Sequence, residues 1–163
     1  MEITANVADS VRVGDEMVGY YVFDRSRAPG YGSDFFNLYY FDNAPEQLEL
    51  HVSVGKLHIA SFDLDVREFG TEIVVTDNAP TTFDRVEDNY KFSCYEARVT
   101  DALGMAAGFY FDLITWMNTD VISSTALPLL PPPIDKFSRN YFILKVGGEG
   151  HVEGSLTSLI RSP

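Results

Sequence analysis

The stretch that decides the fold is Ser123–Leu159, which reads SSTALPLLPPPIDKFSRNYFILKVGGEGHVEGSLTSL. A proline-rich segment leads into two runs of strand-forming residues, 141–146 and 152–159, and a glycine-rich turn joins them. The three consecutive prolines at 131–133 form a stiff, extended spacer. In a sandwich of two sheets, such a spacer would carry the chain from one sheet to the other. The upstream sequence is therefore expected to supply the strands that pair with these two.

The clearest strand signal upstream is the alternation of apolar and polar side chains over residues 47–62. Gly55 divides this stretch into two arms, and a glycine at that place suits a type II′ hairpin turn. Such a turn places Val54 opposite Leu57 on the apolar face. The stretch therefore predicts a β-hairpin with a defined register.

The same period of two recurs along most of the chain, and no segment shows helical periodicity over a helical length. The other predicted strands are 2–8, 17–24, 71–76, 89–100 and 107–117. Eight or nine short strands predict an all-β protein, namely a single antiparallel β-sandwich of jelly-roll-like or immunoglobulin-like type over residues 1–163. A closed β-barrel is the alternative, because it also buries one face of each strand.

Composition and charge exclude several classes of function. The chain has 163 residues and a formal net charge of -12. Such an acidic surface repels phosphate backbones and anionic lipid headgroups, so nucleic acid is not an expected partner. No apolar run reaches the roughly 18 residues of a membrane span, so membrane insertion is not expected. The one cysteine, Cys94, lies in a predicted strand and is expected to be a buried thiol.

Four features resemble a type of uncharacterised bacterial all-β protein that is exported and often carries a PEP-CTERM sorting tail. These are Val13-Gly14-Asp15 followed by Gly19, Tyr21, Phe23 and Asp24; the hairpin with Gly55 in its turn; Asp88-Asn89-Tyr90 at the start of a long strand; and Ser123-Ser124-x-Ala126-Leu127-Pro128 with Phe137 and the ending Val152-x-Gly154-x-Leu156-Thr157-Ser158-Leu159. They follow the same order as in those proteins and cover most of the chain.

The resemblance implies an all-β exported domain without assigned catalytic residues, located outside the cell or at its surface. The N-terminal stretch MEITANVADSV has neither the basic nor the apolar region of a signal peptide, and the chain stops at Pro163, where a proline-containing linker and a sorting tail would often begin. The localisation therefore stays unknown from the residues alone. The first hypothesis for function is a non-enzymatic structural or adhesive domain whose partners are glycans or extracellular matrix components.

An aromatic segment supports a second hypothesis, a carbohydrate-binding module. Residues 25–34 are predicted to form a loop, and residues 35–41 either a short strand or an aromatic flap over one end of the core. Rings in this region could stack on sugar faces while acid and amide groups bind hydroxyls, or they could simply cap the sandwich. The candidate ligand-binding residues are Tyr31, Asp34, Phe36, Asn37 and Tyr40.

Acidic residues between 77 and 88 are candidates for a calcium site that could assist such binding. Calcium takes six to eight oxygen ligands, and residues 79–88 are predicted to form an acidic loop. The candidate ligands are Asp77, Asp84, Glu87 and Asp88. Solvated loop acids and Asx turns explain the same residues without a metal. No other cofactor is expected.

Catalysis has the least support in the sequence. The chain contains no Gly-x-Ser-x-Gly motif and no glycine-rich phosphate loop after a strand. A polysaccharide hydrolase with paired carboxylates is the third hypothesis. Its weakness is that 24 acidic residues make a chance pair easy to find.

Overall fold

The strands of a computed structural model account for most of the residues that it describes, which are 2–3, 10–41, 48–60, 71–81, 85–99, 106–116, 120–146 and 150–158. A short 3-10 helix spans Ile134–Lys136. The strands are β1 (Glu2–Ile3), β2 (Met17–Phe23), β3 (Tyr31–Gly32), β4 (Phe36–Tyr40), β5 (Leu48–Val54), β6 (Leu57–Ala60), β7 (Thr71–Pro80), β8 (Val86–Val99), β9 (Ala106–Thr115), β10 (Arg139–Val146) and β11 (Gly150–Ser155).

The strands form two antiparallel sheets that pack face to face, which confirms the predicted β-sandwich. The large sheet has the order β3-β4-β7-β8-β9-β10-β11-β1, and the small sheet has the order β6-β5-β2. Within the described ranges this order does not close into a barrel, so the alternative fold is wrong. The same ranges contain no helix with the length and apolar character that a membrane span requires.

The long strand β8 belongs to both sheets. Its first part pairs with β7, whereas Arg98 and Val99 near its end pair with β6. A register shift against β9 between Cys94 and Ala97 lies just before this change of partner. Such irregularities bend a strand and increase its twist, which lets one strand leave the plane of its sheet. The two sheets are therefore continuous through β8.

The proline-rich segment has a different role from the predicted one. It connects β9 with β10, and these two strands pair directly with each other in the large sheet. The prediction that it carries the chain between sheets is therefore wrong. An extended proline run can return a chain to the same sheet as readily as it can cross over. The chain passes from one sheet to the other upstream of this segment, for example between β4 and β5 and between β6 and β7.

Two predicted loops are shorter than expected. Residues 31–32 form β3, a strand too short to show alternation in sequence. Strand β7 runs on through Asp77 and Asn78, where a bulge replaces the predicted end, and β8 begins at Val86. Asn78 has a φ of 53°. Asparagine tolerates this left-handed conformation, so it can bulge a strand without ending it.

The hairpin between β5 and β6 has the predicted register, with Val54 opposite Leu57. Gly55 has a φ of 56°, as both types of two-residue hairpin turn require at that position. Lys56 does not share a positive φ. The turn is therefore type II′ and not type I′.

Aromatic rings fill the space between the sheets. Phe92 and Phe111 stack with their centroids 5.6 Å apart, and Tyr21 of the small sheet lies 5.0 Å from Phe92. The Tyr21 and Tyr90 hydroxyl groups are 3.1 Å apart and form a hydrogen bond across the interface. Cys94 is also buried there, as predicted. Burial raises the pKa of Tyr21 to about 12 and raises the pKa of Tyr90 as well.

The hydroxyl pair generates a test of how the sheets hold together. Tyr90→Phe should lower the free energy of unfolding by about 1–2 kcal/mol, because the Tyr21 hydroxyl stays in the interface without its partner. The double variant with Tyr21→Phe should lose less than the sum of the two single losses, since it removes both polar groups. Urea denaturation of the four proteins measures the coupling. Strictly additive losses would show that the pair does not couple the sheets.

Candidate functional site

The aromatic segment folds as a tight hairpin, β3–β4, at the edge of the large sheet. The Gly30 amide donates to the Leu38 carbonyl at 2.9 Å, and the Ser33 amide donates to the Phe36 carbonyl at 2.8 Å. A side chain at Gly30 would collide with the Tyr40 ring. Glycine at that position therefore lets the ring lie directly over the backbone.

Three rings of this hairpin share the outward face of the large sheet. Tyr31 lies opposite Leu38, so it faces the same way as Phe36 and Tyr40, which alternate with the buried Tyr39. Tyr31 is 65% exposed and Tyr40 is 37% exposed, whereas Phe36 is half-buried. The centroids of Tyr31 and Phe36 are 5.6 Å apart. We name Tyr31, Phe36 and Tyr40 the aromatic row.

The two polar candidates of this segment lie elsewhere. Asp34 is exposed in the hairpin turn. Asn37 points to the opposite face from the aromatic row, and its side-chain amide donates to the Thr125 hydroxyl at 2.9 Å. The Tyr39 hydroxyl donates to the Thr125 carbonyl, also at 2.9 Å. These two bonds fasten the segment after β9 to the underside of the hairpin, so they hold the aromatic row in place from behind.

Three of the four acidic candidates for calcium have a protein partner. Asp77 accepts a hydrogen bond from the Asn78 side chain at 2.6 Å, and Glu87 accepts one from the Trp116 indole at 3.2 Å. Asp84 lies outside the described residues. Within those residues, no group of three acidic, histidine or cysteine side chains is arranged to hold a metal.

Asp88 is fully buried, and its carboxylate accepts hydrogen bonds from backbone amides. One carboxylate oxygen accepts the Asn78 amide at 2.9 Å, and the other accepts the amides of Val121 at 3.0 Å and Ile122 at 2.9 Å. Three such bonds satisfy the charge and the buried amides together. The carboxylate therefore joins the bulge of β7 to the segment that follows β9. Calcium assistance involving Asp77, Asp84, Glu87 and Asp88 stays a prediction.

Asp88 can be tested as a structural carboxylate. Asp88→Ala should lower the free energy of unfolding by about 3 kcal/mol or more, because three amides lose a charged acceptor. Urea denaturation in EDTA and in calcium should give the same loss. Asp77→Ala, whose one described side-chain bond is to Asn78, should have a small effect. A loss that appears only in calcium would instead identify Asp88 as a metal ligand.

The sequence analysis did not single out the buried acid Asp112, which lies on the outward face of the large sheet. Asp112 in β9 lies opposite Lys91 of β8 and Tyr141 of β10, and it is only 7% exposed. Hydrogen bonds from Asn89 and Tyr141 reach its carboxyl group, yet its Oδ1 atom has no partner. A buried acceptor without a partner costs about 1–3 kcal/mol. The alternation of β9 does place Asp112 away from the core, but sequence alternation cannot show that this face is covered.

The surroundings of Asp112 shift two pKa values. Burial raises the pKa of Asp112 and Glu87 adds to the rise, while the Asn89 hydrogen bond and the positive charges of Lys91 and Arg139 offset part of it. Burial and the charge of Asp112 raise the pKa of Tyr141. The charged form of Asp112 therefore destabilises the folded state relative to an exposed aspartate.

This pKa direction predicts a pH-dependent gain from Asp112→Asn. In the wild type, the charge of Asp112 lowers the stability of the folded state. This destabilisation is absent below the ordinary aspartate pKa, grows as the pH rises, and is complete above the raised pKa of Asp112 in the folded state. The variant should therefore have the higher melting temperature at pH 7, and the difference should shrink towards zero below pH ~4. Calorimetry across this range measures it. A variant that melts below the wild type at pH 7 would contradict the prediction.

No protein-family model, curated protein or solved structure matches this chain. The features of the described residues that bear on function are two outward-facing groups, the aromatic row and the surroundings of Asp112.

Proposed function

We propose that this protein is a non-enzymatic carbohydrate-binding module whose aromatic row stacks on the apolar faces of sugar rings. The observation that carries the proposal is the exposure of Tyr31 and Tyr40 beside Phe36 on one face of the sheet. A folded chain gains by burying such rings, so a row of them that stays exposed favours a binding surface. Strands on which the rings are fixed lose little further freedom when a ligand binds.

The chemistry of the row suits a sugar better than the other ligand classes. A pyranose ring has an apolar C–H face and a rim of hydroxyl groups, and tyrosine offers an apolar ring with a polar hydroxyl. Asp34 in the adjoining turn adds an exposed acceptor. Nucleic acid would also stack on these rings, but the net charge of -12 opposes a phosphate backbone.

The resemblance to exported bacterial proteins suggests a biological setting for this binding. A domain that holds a surface or matrix glycan without cleaving it acts as an adhesive domain, which unites the first two hypotheses from the sequence. The bulge residue Asp77 donates its amide to the Phe35 carbonyl at 2.9 Å. Calcium bound near Asp77 would therefore stabilise the hairpin that carries the row.

The proposal is tested by native affinity electrophoresis through gels that contain a mixed-linkage β-glucan, xylan, galactomannan, a linear α-glucan or polygalacturonate. The wild type should be retarded by at least one neutral polymer. Tyr31→Ala and Tyr40→Ala should each weaken that retardation at least about tenfold, because each removes an exposed stacking ring. Each gel is run with calcium and with EDTA.

Tyr20→Ala is the matched control. Tyr20 is 50% exposed, but it lies in the small sheet, where it stacks on His51 at 4.7 Å. Its loss should leave the retardation unchanged. Equal weakening by all three variants, or no retardation of the wild type by any polymer, would refute carbohydrate binding at this row. Retardation in calcium alone would support the calcium-assisted form.

A further inference from the structure

The edge of the small sheet at β2 differs from both edges of the large sheet. The large sheet ends in β3 and β1, which have two residues each, whereas the small sheet ends in β2 with seven residues. Within the described ranges, no strand pairs with the side of β2 that faces away from β5. Very short edge strands are one means by which proteins prevent pairing with another chain. The edge at β2 lacks this protection.

The sequence of β2 also lacks the other features that protect a sheet edge. The strand reads MVGYYVF and contains neither a charged residue nor a proline. Its pairing with β5 runs from Met17 opposite Val54 to Phe23 opposite Leu48 without a bulge. Charged residues, prolines and bulges are what natural edge strands use against pairing with another chain. Among the described residues, β2 is therefore the edge best suited to accept a further strand.

The outward side chains of β2 form an apolar stripe along this edge. Val18, Tyr20 and Val22 each expose half of their surface or slightly more. Tyr21 and Phe23, which alternate with them, pack against the core. Covering the stripe removes apolar surface from water, so the strand that fits this edge has apolar side chains at alternate positions.

The sequence of β2 is complementary to itself when two copies run antiparallel. If a twofold axis passes beside Tyr20, all seven residues of each strand lie opposite a residue of the other copy. Val18 then lies opposite Val22, and Met17 lies opposite Phe23. Pairs of β-branched and large apolar residues are among those that stabilise neighbouring strands. A second copy of this chain therefore supplies the apolar strand that the edge fits.

The same register gives the glycine of β2 an aromatic partner. Gly19 lies opposite Val52 on the β5 side. On the other side, the twofold register places Tyr21 of the second copy opposite Gly19. A glycine inside a strand weakens it, and an aromatic residue directly across from an edge glycine compensates for that weakness. The pairing thus improves the least favourable position of the strand.

The charges beside β2 permit two acidic molecules to approach each other at this edge. The chain has a net charge of -12, but residues 10–27 carry three positive and three negative charges: Arg12, Arg25 and Arg27 against Asp15, Glu16 and Asp24. The twofold register brings Asp15 opposite Arg25 of the other copy, while Glu16 lies opposite Asp24. Attraction and repulsion at each end of the paired strands therefore offset each other, and the surplus of acids lies elsewhere.

We propose that β2 pairs antiparallel with β2 of a second copy of this chain about a twofold axis beside Tyr20. The small sheets then form one continuous sheet with three strands from each copy. This inference is independent of the proposed function, because the aromatic row lies in the large sheet. Pairing through one strand edge buries less than a standard interface of about 1,600 Å², so the dimer is weak and depends on concentration.

Sedimentation velocity of the wild type should show a change from monomer to dimer between about 5 µM and about 500 µM. Tyr20→Lys and Tyr20→Glu should each stay monomeric over this range, because like charges then lie directly opposite each other at the axis. An equimolar mixture of the two variants should dimerise, since opposite charges then meet at the axis. Tyr31→Lys, at an exposed tyrosine of the large sheet, is the matched control and should dimerise as the wild type does.

Amide hydrogen exchange of the wild type distinguishes strand pairing from contact through outward side chains. The amides of residues 17–23 that point away from β5 should exchange several times more slowly at the high concentration than at the low one. This measurement needs no variant, so it decides the matter even if a change at Tyr20 prevents folding. Thermal melts at the low concentration check that both Tyr20 variants are folded.

The results that would overturn the proposal are equally specific. A wild type that stays monomeric at about 500 µM would exclude a second copy and leave the edge to a strand of another protein. A dimer without slower exchange in residues 17–23 would place the contact elsewhere. Loss of the dimer in Tyr31→Lys, or a mixture of folded Tyr20 variants that stays monomeric, would exclude the axis beside Tyr20.

Discussion

Both sheets of this sandwich depend on a single strand. The 14 residues of β8 pair with β7 and β9 in the large sheet and, at the far end, with β6 of the small sheet. The hydrogen bonds of one continuous backbone thus fix how the sheets lie relative to each other, and the ring packing of Tyr21 on Phe92 fills the gap that this arrangement sets. Strand β8 also lies in the middle of the large sheet, so it forms the centre of the outward face on which the candidate surface lies.

The elements predicted well from the sequence are those whose information is local. The hairpin around Gly55 folds with the predicted pairing of Val54 and Leu57, because alternation and turn chemistry both lie within a few residues. The proline segment was misassigned, since its rigidity says nothing about which strand it reaches. That choice depends on the pairing of β9 with β10, which is a tertiary property.

The candidate site likewise has features that local sequence predicts and features that depend on how the strands pair. The aromatic residues of β3 and β4 could be singled out by their density, yet only the register of Tyr31 with Leu38 places three rings on one face and Asn37 on the other. Asp112 was missed because an acid at an outward position of a strand is ordinary in sequence. Its burial comes from side chains of neighbouring strands. A carboxylate that weakens the fold is the kind of local conflict that proteins retain at functional sites.

The pairing of β1 with β11 has a consequence for the order in which the protein assembles. Glu2 and Ile3 pair with Glu153 and Val152, so β1 depends on residues that lie far along the sequence from it. Closing so long a loop is entropically slow compared with forming the local hairpins. During synthesis on the ribosome, the local hairpins can form before β11, the partner of β1, has been made. We therefore expect the β1 edge of the large sheet to form after the hairpins, and until then β11 presents unpaired backbone groups to the solvent.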